Sequence, residues 1–303
     1  MKAKAVAPGK LLLTGAYAVL EGAPAVVLAV DRCAIADCSR PNDAPSAEVR
    51  AAFGDEPAPY VDTRALHDSS GRKLGLGSSA AGVVAALAAR SMARGQDPRT
   101  PLVRAQIFRT ARLAHALVQD GGSGVDVAAS VHGGLLRYRI GAGGLESSVS
   151  PLDLAPGLVW MAYDSGASAR TSDMRGRVAA FRAKNGSSIY FGPVLELAWA
   201  ACAALEAGEA RAFVRTARAF GDALAALGRA ADVPVVLPSF AELALAAEHE
   251  DAAFLPSGAG GGDVGVWLST ASPSAAFVER AKALSMRPLV LSMDATGVRP
   301  QPG

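Results

Sequence analysis

Aromatic rings, sulfur and net charge are all scarce in this sequence. Aromatics make up 6% of the 303 residues, and the three cysteines, Cys33, Cys38 and Cys202, stand in no CxxC spacing. An odd count without that spacing removes the common thiol motifs and reads as reduced, buried thiols of a cytosolic protein. Lysine plus arginine number 30 against 28 aspartate plus glutamate, a formal charge of +2. With the basic residues scattered, no electrostatic footprint for nucleic acid or a membrane surface remains. No apolar run reaches membrane-spanning length, and Pro8-Gly9-Lys10 interrupts the N-terminus before a signal-peptide core can form. GxxxxGK followed by Ser or Thr, HExxH and GxSxG are also missing, which excludes a P-loop and speaks against zincin and α/β-hydrolase chemistry. These absences leave a cytoplasmic enzyme acting on small molecules, monomer or homodimer, long enough for two separate cores.

Glycine is where the sequence is rich, with 32 residues. The stretch Lys73-Leu-Gly-Leu-Gly-Ser-Ser-Ala-Ala-Gly82 runs into the alanine-rich segment Val83 to Arg90 and reads as a phosphate cradle. Gly75 and Gly77 permit close approaches that a Cβ would block, so several N–H groups can converge on one anion. Ser78 and Ser79 then open a helix whose unpaired first-turn amides and dipole attract negative charge, each such interaction worth about 0.3–1 kcal/mol. Their hydroxyls can add ligands for phosphate or magnesium. A glycine-serine turn before such a helix also serves as plain capping, so this stretch alone leaves both open. Gly75-Leu-Gly77-Ser-Ser-Ala80 fits a GxGxxA dinucleotide pattern too, but Ser69 to Lys73 is no buried strand and Asp97 lies in a polar break. Gly260-x-Gly262-x-x-Gly265 leads into a strand rather than a helix, so a nicotinamide or flavin enzyme is not supported.

In chain order, Ala3 to Ala7 reads as a short strand ended by Pro8-Gly9, and Lys10 to Thr14 as a second apolar run. A lysine directly after such a turn is aimed at whatever fills the turn. Ala23 to Val30 has the β-branched content of a buried strand. Residues 39 to 72, with Pro41, Pro45, Pro57 and Pro59, read as a polar excursion holding an edge strand around Ala47 to Phe53. Two helices span Ser78 to Leu117; Val103, Ile107, Leu113 and Leu117 are expected on one buried face, with His115 packed among them. Asp126 follows a glycine-serine turn and stands equally as a helix cap or as a general base or charge-positioning group. Strands at Leu135 to Ile140 and Leu158 to Tyr163 flank a glycine-rich connection, which places domains at residues 1–150 and 151–303. Asp164 to Ser172 mixes hydroxyls with Arg170, chemistry that suits a phosphorylated substrate or a solvated loop. Helices over 190–207, 209–228 and 239–249 come next. Strands at Ala252 to Leu255, Val264 to Leu268 and Leu289 to Met293, and a helix at Ser274 to Leu284, complete an α+β sandwich with an antiparallel sheet.

Three segments, in this order, resemble the three motifs of the galactokinase, homoserine kinase, mevalonate kinase and phosphomevalonate kinase (GHMP kinase) superfamily. They are Ala7-Pro-Gly-Lys10-Leu-Leu-Leu-Thr-Gly15-Ala-Tyr-Ala-Val-Leu-Glu-Gly22, Gly75-Leu-Gly-Ser-Ser-Ala-Ala81 and Ser257-Gly-Ala-Gly-Gly-Gly262, and they span nearly the whole chain. Lys73 two residues before Gly75, the segment Gly122-Ser-Gly-Val-Asp-Val-Ala128, and the continuation into Asp263 are similar to phosphomevalonate kinases. The resemblance implies a two-domain α+β fold, with an N-terminal domain like the second domain of ribosomal protein S5 and a ferredoxin-like C-terminal domain. It also implies ATP and Mg2+, and transfer of the γ-phosphoryl of ATP to the phosphate of 5-phosphomevalonate. Because that acceptor is already anionic, positioning and charge screening should matter more than base catalysis.

On the matched positions the resemblance implies Lys10 and Asp126 as the catalytic pair. Lys73, Gly75, Leu76, Gly77, Ser78, Ser79, Ala80 and Ala81 would form the triphosphate site, with Ser79 also a magnesium ligand. Thr171 and Ser172, and beside them Arg170, would meet the substrate, as would Ser257, Gly258, Ala259, Gly260 and Asp263 of the third motif. Two positions depart from the pattern. Ala16 stands where first motifs of this kind carry Glu. Mevalonate kinases place a metal-binding Glu eleven residues before the catalytic Asp, where this chain has His115. That argues against a mevalonate kinase and leaves magnesium to Ser79, water and the nucleotide. The alternatives are a mevalonate kinase or another small-molecule kinase of the superfamily, a diphosphomevalonate decarboxylase-like enzyme, and a non-catalytic ligand-binding member.

Overall fold

The computed structural model describes residues 3–119, 121–141, 147–167, 171–185 and 188–302. Strand β1 (Lys4–Thr14) is followed by β2 (Ala25–Pro41), helix α1 (Ala47–Phe53), β3 (Pro59–Asp62), α2 (Ser78–Ala93), α3 (Pro101–Val118) and α4 (Val125–His132). Then come β4 (Leu135–Ile140), β5 (Ser147–Leu152), β6 (Val159–Asp164), α5 (Thr171–Asn185), α6 (Ser188–Glu206), α7 (Ala210–Ala230) and α8 (Pro238–Glu248). The chain closes with β7 (Ala253–Pro256), β8 (Val264–Ser269), α9 (Ala275–Ala283), β9 (Arg287–Leu289) and β10 (Arg299–Pro300). Hydrogen bonds order one sheet β10-β1-β2-β4-β5, with β3 beside β2, and a second sheet β7-β8-β6-β9. Every pairing of the second sheet is antiparallel.

Contacts divide the chain into two compact units, neither continuous in sequence. The first comprises Met1–Leu11, Val27–Leu136 and Ser292–Gly303, and the second Leu12–Val26 and Arg137–Leu291. In the first unit α2 is buried along Ala80 to Ala89, which its small side chains allow. In the second, the scarce aromatics gather: Tyr163, Phe240, Phe254, Trp267 and Phe277 share one core, with the Trp267 and Phe277 centroids 4.3 Å apart. Helix α7 buries Phe213, Val214, Ala217, Phe220, Leu224 and Leu227 on one stripe at three- and four-residue spacing.

Several local expectations give way to tertiary context. Pro8-Gly9 does not break β1, because the close passage of the chain there needs a residue without a Cβ. One on Gly9 would lie 2.7 Å from both the Leu76 carbonyl oxygen and a Leu66 methyl. Ala47–Phe53 is a helix, not an edge strand, its first turn capped by Ser46 Oγ, which accepts from the Val49 N–H at 3.3 Å. On α3 the buried face is Val103, Ile107, Ala111 and Ala114, while Leu113 and Leu117 are 58% and 75% exposed. Alanines, which carry little hydrophobic signal, set that face. Helix α5 occupies a stretch with no expected helix, and its weak amphipathic pattern, with charges at Asp173, Arg175, Arg177, Arg182 and Lys184, explains the omission. The expected last strand at Leu289 to Met293 is instead split between β9 and an isolated bridge from Met293 to Val30. Against the expectation that no run reaches membrane length, Ile189–Glu206 of α6 is long and apolar enough, with mean hydropathy 1.3 and 39% of it buried. Glu196 and Glu206 are its only charges, and it packs on α7.

Candidate active site

The first unit brings the cradle, Lys10 and Asp126 together. Lys10 lies mid-way along β1 and is 6% exposed. Its main-chain N–H donates to the Leu76 carbonyl at 2.9 Å, and its Nζ donates to the Gly75 carbonyl at 3.1 Å. Strand and cradle are thus pinned by two bonds to consecutive carbonyls. Gly77, at φ 77°, is the left-handed N-cap of α2. A Cβ added there would sit 3.1 Å from Lys10 Cγ and 3.6 Å from Asp126 Oδ2, so the two side chains flank the same glycine. The first internal bond of α2 runs from the Ala81 N–H to the Gly77 carbonyl at 3.0 Å, which leaves the Ser78, Ser79 and Ala80 amides without helical acceptors. Ser78 is 8% exposed, Ser79 half-buried and Lys73 exposed, with Lys73 Nζ 3.5 Å from Ser79 Oγ.

Asp126 is not the cap of α4. Gly124 holds the N-cap position at φ 76° with no side-chain cap bond, and Asp126 sits within the first turn. Ser130, one turn on, is fully buried and donates from Oγ to the Pro8 carbonyl at 2.7 Å. That bond ties α4 to β1 two residues before Lys10 and sets the register between the two charged side chains. Sequence reasoning missed Ser130, since a serine in an alanine-rich helix carries no local signal of a long-range partner. It also missed Glu48 of α1, 5% exposed, whose Oε1 accepts from Gln119 Nε2 at 3.0 Å. Burial pushes the Glu48 carboxyl up, but bonds from its own main-chain N–H, Gln119 and the Ser79 hydroxyl, together with the nearby His115 ring, outweigh it. The net result holds this carboxyl below its ordinary range.

The second unit joins the remainder of the first motif to the third. The Leu12 N–H donates to Ser257 Oγ at 2.8 Å, and the Tyr17 hydroxyl donates to the Ala259 carbonyl at 2.6 Å. Tyr17 adopts φ 61°, a left-handed conformation seldom tolerated by a bulky side chain, and burial pushes its phenol well up. Gly260 is pressed against Val235, while no atom lies within 4 Å of a Cβ placed on Gly258. The Asp263 N–H donates to the Ala167 carbonyl at 2.9 Å. Thr171 and Ser172 open α5, and Arg170 lies outside the described residues. A cavity of about 340 Å³ in this unit is lined by Tyr17, Glu21, Arg175, Arg182 and Phe191 among others, with Arg182 ion-paired to Glu21.

Residues 61–134, which take in the cradle and Asp126, match the family model of the GHMP kinases N terminal domain. A phosphomevalonate kinase from Streptomyces sp. (strain CL190) is 27% identical over 88% of this chain and 90% of its own length. Over residues 61–134 the chain carries a GHMP kinases N terminal domain. Its fold is the two-domain GHMP kinase fold, α+β with antiparallel sheets. A Lin0012 protein from Listeria innocua superposes with a TM-score of 0.85 at 21% identity, covering 100% of both chains. Streptococcus pneumoniae phosphomevalonate kinase in complex with phosphomevalonate and AMPPNP superposes with a TM-score of 0.78 at 21% identity, covering 97% of this chain and 99% of that one. Lys10 and the third motif lie outside the matched family segment.

Proposed function

We propose that this protein moves the γ-phosphoryl group of ATP onto the phosphate of 5-phosphomevalonate, in the cytoplasm, giving 5-diphosphomevalonate and ADP. An oxygen of the acceptor phosphate attacks the γ-phosphorus as the bond to the β–γ bridging oxygen breaks, and the departing electron pair stays on ADP. The observation that carries this reading is the convergence of Lys10 and Asp126 on Gly77, beside the first-turn amides of α2. Those amides, with the main chain of Gly75, Leu76, Gly77 and Ala81, would hold the β- and γ-phosphates. Lys73 would reach them from the approach to the cradle. Lys10 would screen the repulsion between donor and acceptor phosphates, and Asp126 would orient Lys10 and the acceptor.

The Ser79 hydroxyl is a hard oxygen donor of the kind Mg2+ takes. Among the described residues no group of three or more His, Cys, Asp or Glu forms a ready cation cage, which suits an ion that keeps waters and rides on phosphates. Mg2+ held there by Ser79 would supply positive charge against the phosphates. Ser257, Gly258, Ala259, Gly260 and Asp263, with Arg170, Thr171 and Ser172, would select the acceptor. Gly77→Ala should weaken ATP binding at least about tenfold, because the left-handed backbone costs about 1–2 kcal/mol and the new methyl displaces Lys10. Calorimetric titration reads this, and unchanged affinity would place the nucleotide elsewhere.

The deciding experiment compares ADP release with mevalonate, 5-phosphomevalonate and 5-diphosphomevalonate, together with trapping of carbon dioxide. The expected result is a kcat/KM for 5-phosphomevalonate at least about 100-fold above the other two. Because Asp126 beside Lys10 could also take a proton from a hydroxyl, mevalonate is the second reading, and turnover of mevalonate alone would install it. Trapped carbon dioxide would point to the decarboxylase, and nucleotide binding without any ADP to a ligand-binding member.

A further inference from the structure

We propose that Glu48 supplies the carboxylate of the divalent-cation site, with the Ser79 hydroxyl beside it. This rests on the kinase reading above. Glu48 stands in the first turn of α1, on the polar excursion between β2 and β3, and is only 5% exposed. A carboxylate so deeply placed needs compensation. Gln119 Nε2 gives one bond at 3.0 Å, and the Ser79 hydroxyl lies within bonding reach of the same group. His115 is also adjacent, and its Nδ1 is buried without a partner among the described residues.

Gln119 Nε2, the Ser79 hydroxyl and the His115 ring all face this one carboxyl and compensate its burial. A serine hydroxyl has one proton and two lone pairs. Donating that proton to a carboxylate leaves the lone pairs for a cation and makes the oxygen a better donor to it. Serine and glutamate oxygens are both hard ligands suited to magnesium. An imidazole at position 115 offers no negative charge, so the charge that balances a dication comes from α1, a different helix from the α3 that carries His115. Nothing in the spacing of the motifs indicates this, because Glu48 lies thirty-one residues before Ser79 in the sequence.

The test uses Mn2+ as a paramagnetic probe titrated into the full chain saturated with AMPPNP. Glu48→Gln keeps the shape and a carbonyl oxygen for Gln119, and should weaken Mn2+ in the ternary complex by about 10–100-fold. AMPPNP binding in EDTA should stay within about twofold of wild type, and Glu48→Gln/His115→Glu should recover Mn2+ affinity by returning a carboxylate to the same neighbourhood. Fe2+ with ascorbate, applied to the wild-type AMPPNP complex, should cut the backbone within α1 as well as next to Ser79. This arm needs no variant to fold. Wild-type Mn2+ affinity in Glu48→Gln, or cuts beside Ser79 with none in α1, would overturn the inference while leaving the kinase reading intact. A wild-type protein that takes up no AMPPNP at all would overturn the kinase reading first, and this inference with it.

Discussion

Lys10→Ala and Asp126→Asn are each expected to lower kcat by about 100- to 10,000-fold while the dissociation constant for ATP moves by less than about threefold. The reason lies in where these two groups stand. Both reach the same glycine at the mouth of the cradle, Lys10 through its aliphatic stem and Asp126 through Oδ2. The main-chain amides of the α2 first turn can hold a phosphate without either of them. What the amides cannot do is balance the charge that accumulates when a second phosphate is pressed against the first. An ammonium and a carboxylate that flank the same glycine would be suited to that, and their contribution would grow as the acceptor approaches. Single-turnover kinetics with calorimetric ATP titration separate the two quantities.

Lys10 has a structural task as well, since its Nζ bonds the Gly75 carbonyl at 3.1 Å, so thermal unfolding of Lys10→Ala should be followed alongside. Asp126→Asn carries no such burden, as Asp126 does not cap α4. If the pair acts as a unit, the double variant is little slower than the slower single variant. Turnover unchanged in both single variants would remove the assigned roles.

Gly260→Ala is expected to cost the fold about 3 kcal/mol or more, seen as a drop in Tm of about 6–12 °C. The residue has φ 81°, and a Cβ there would lie 1.9 Å from the Val235 carbonyl oxygen and 2.7 Å from its carbon. Neither atom is the free end of a side chain. The neighbouring Gly261 N–H donates to that same carbonyl at 3.1 Å, so the Val235 segment cannot retreat without losing a bond. Backbone strain and steric overlap therefore add. Gly176→Ala provides the contrast: Gly176 lies inside α5 with nothing within 4 Å of a new Cβ, and alanine there should be neutral or stabilising by up to about 1 kcal/mol. Equal Tm values for the two variants would show that the third-motif loop does not press on Val235.

The local features were legible because local physics decides them. Gly75 and Gly77 do adopt positive φ, Ser78 does open α2, and the buried strands β6 and β8 fall where β-branched and aromatic residues accumulate. The failures share one cause. Pro8-Gly9 looks like a strand end until the Leu76 carbonyl is seen to occupy the space a side chain would need. Ala47–Phe53 looks like edge strand in a proline-rich stretch, yet Ser46 caps it and it packs on α2 and α3. Leu113 and Leu117 look like core, yet α3 turns Ala111 and Ala114 inward.

By itself the sequence determined the glycine turn at Gly75 and Gly77, the helix that follows it and the order of three glycine-bearing motifs, because each depends on backbone freedom and periodicity within a few residues. Only the tertiary structure decided which distant side chains share a position. It put Lys10 of a strand and Asp126 of a helix around the same glycine and Glu48 within reach of Ser79, and it grouped Leu12–Val26 with Arg137–Leu291. Such pairings come from packing and from hydrogen bonds such as that of Ser130 to Pro8, which join residues with no relation in sequence spacing.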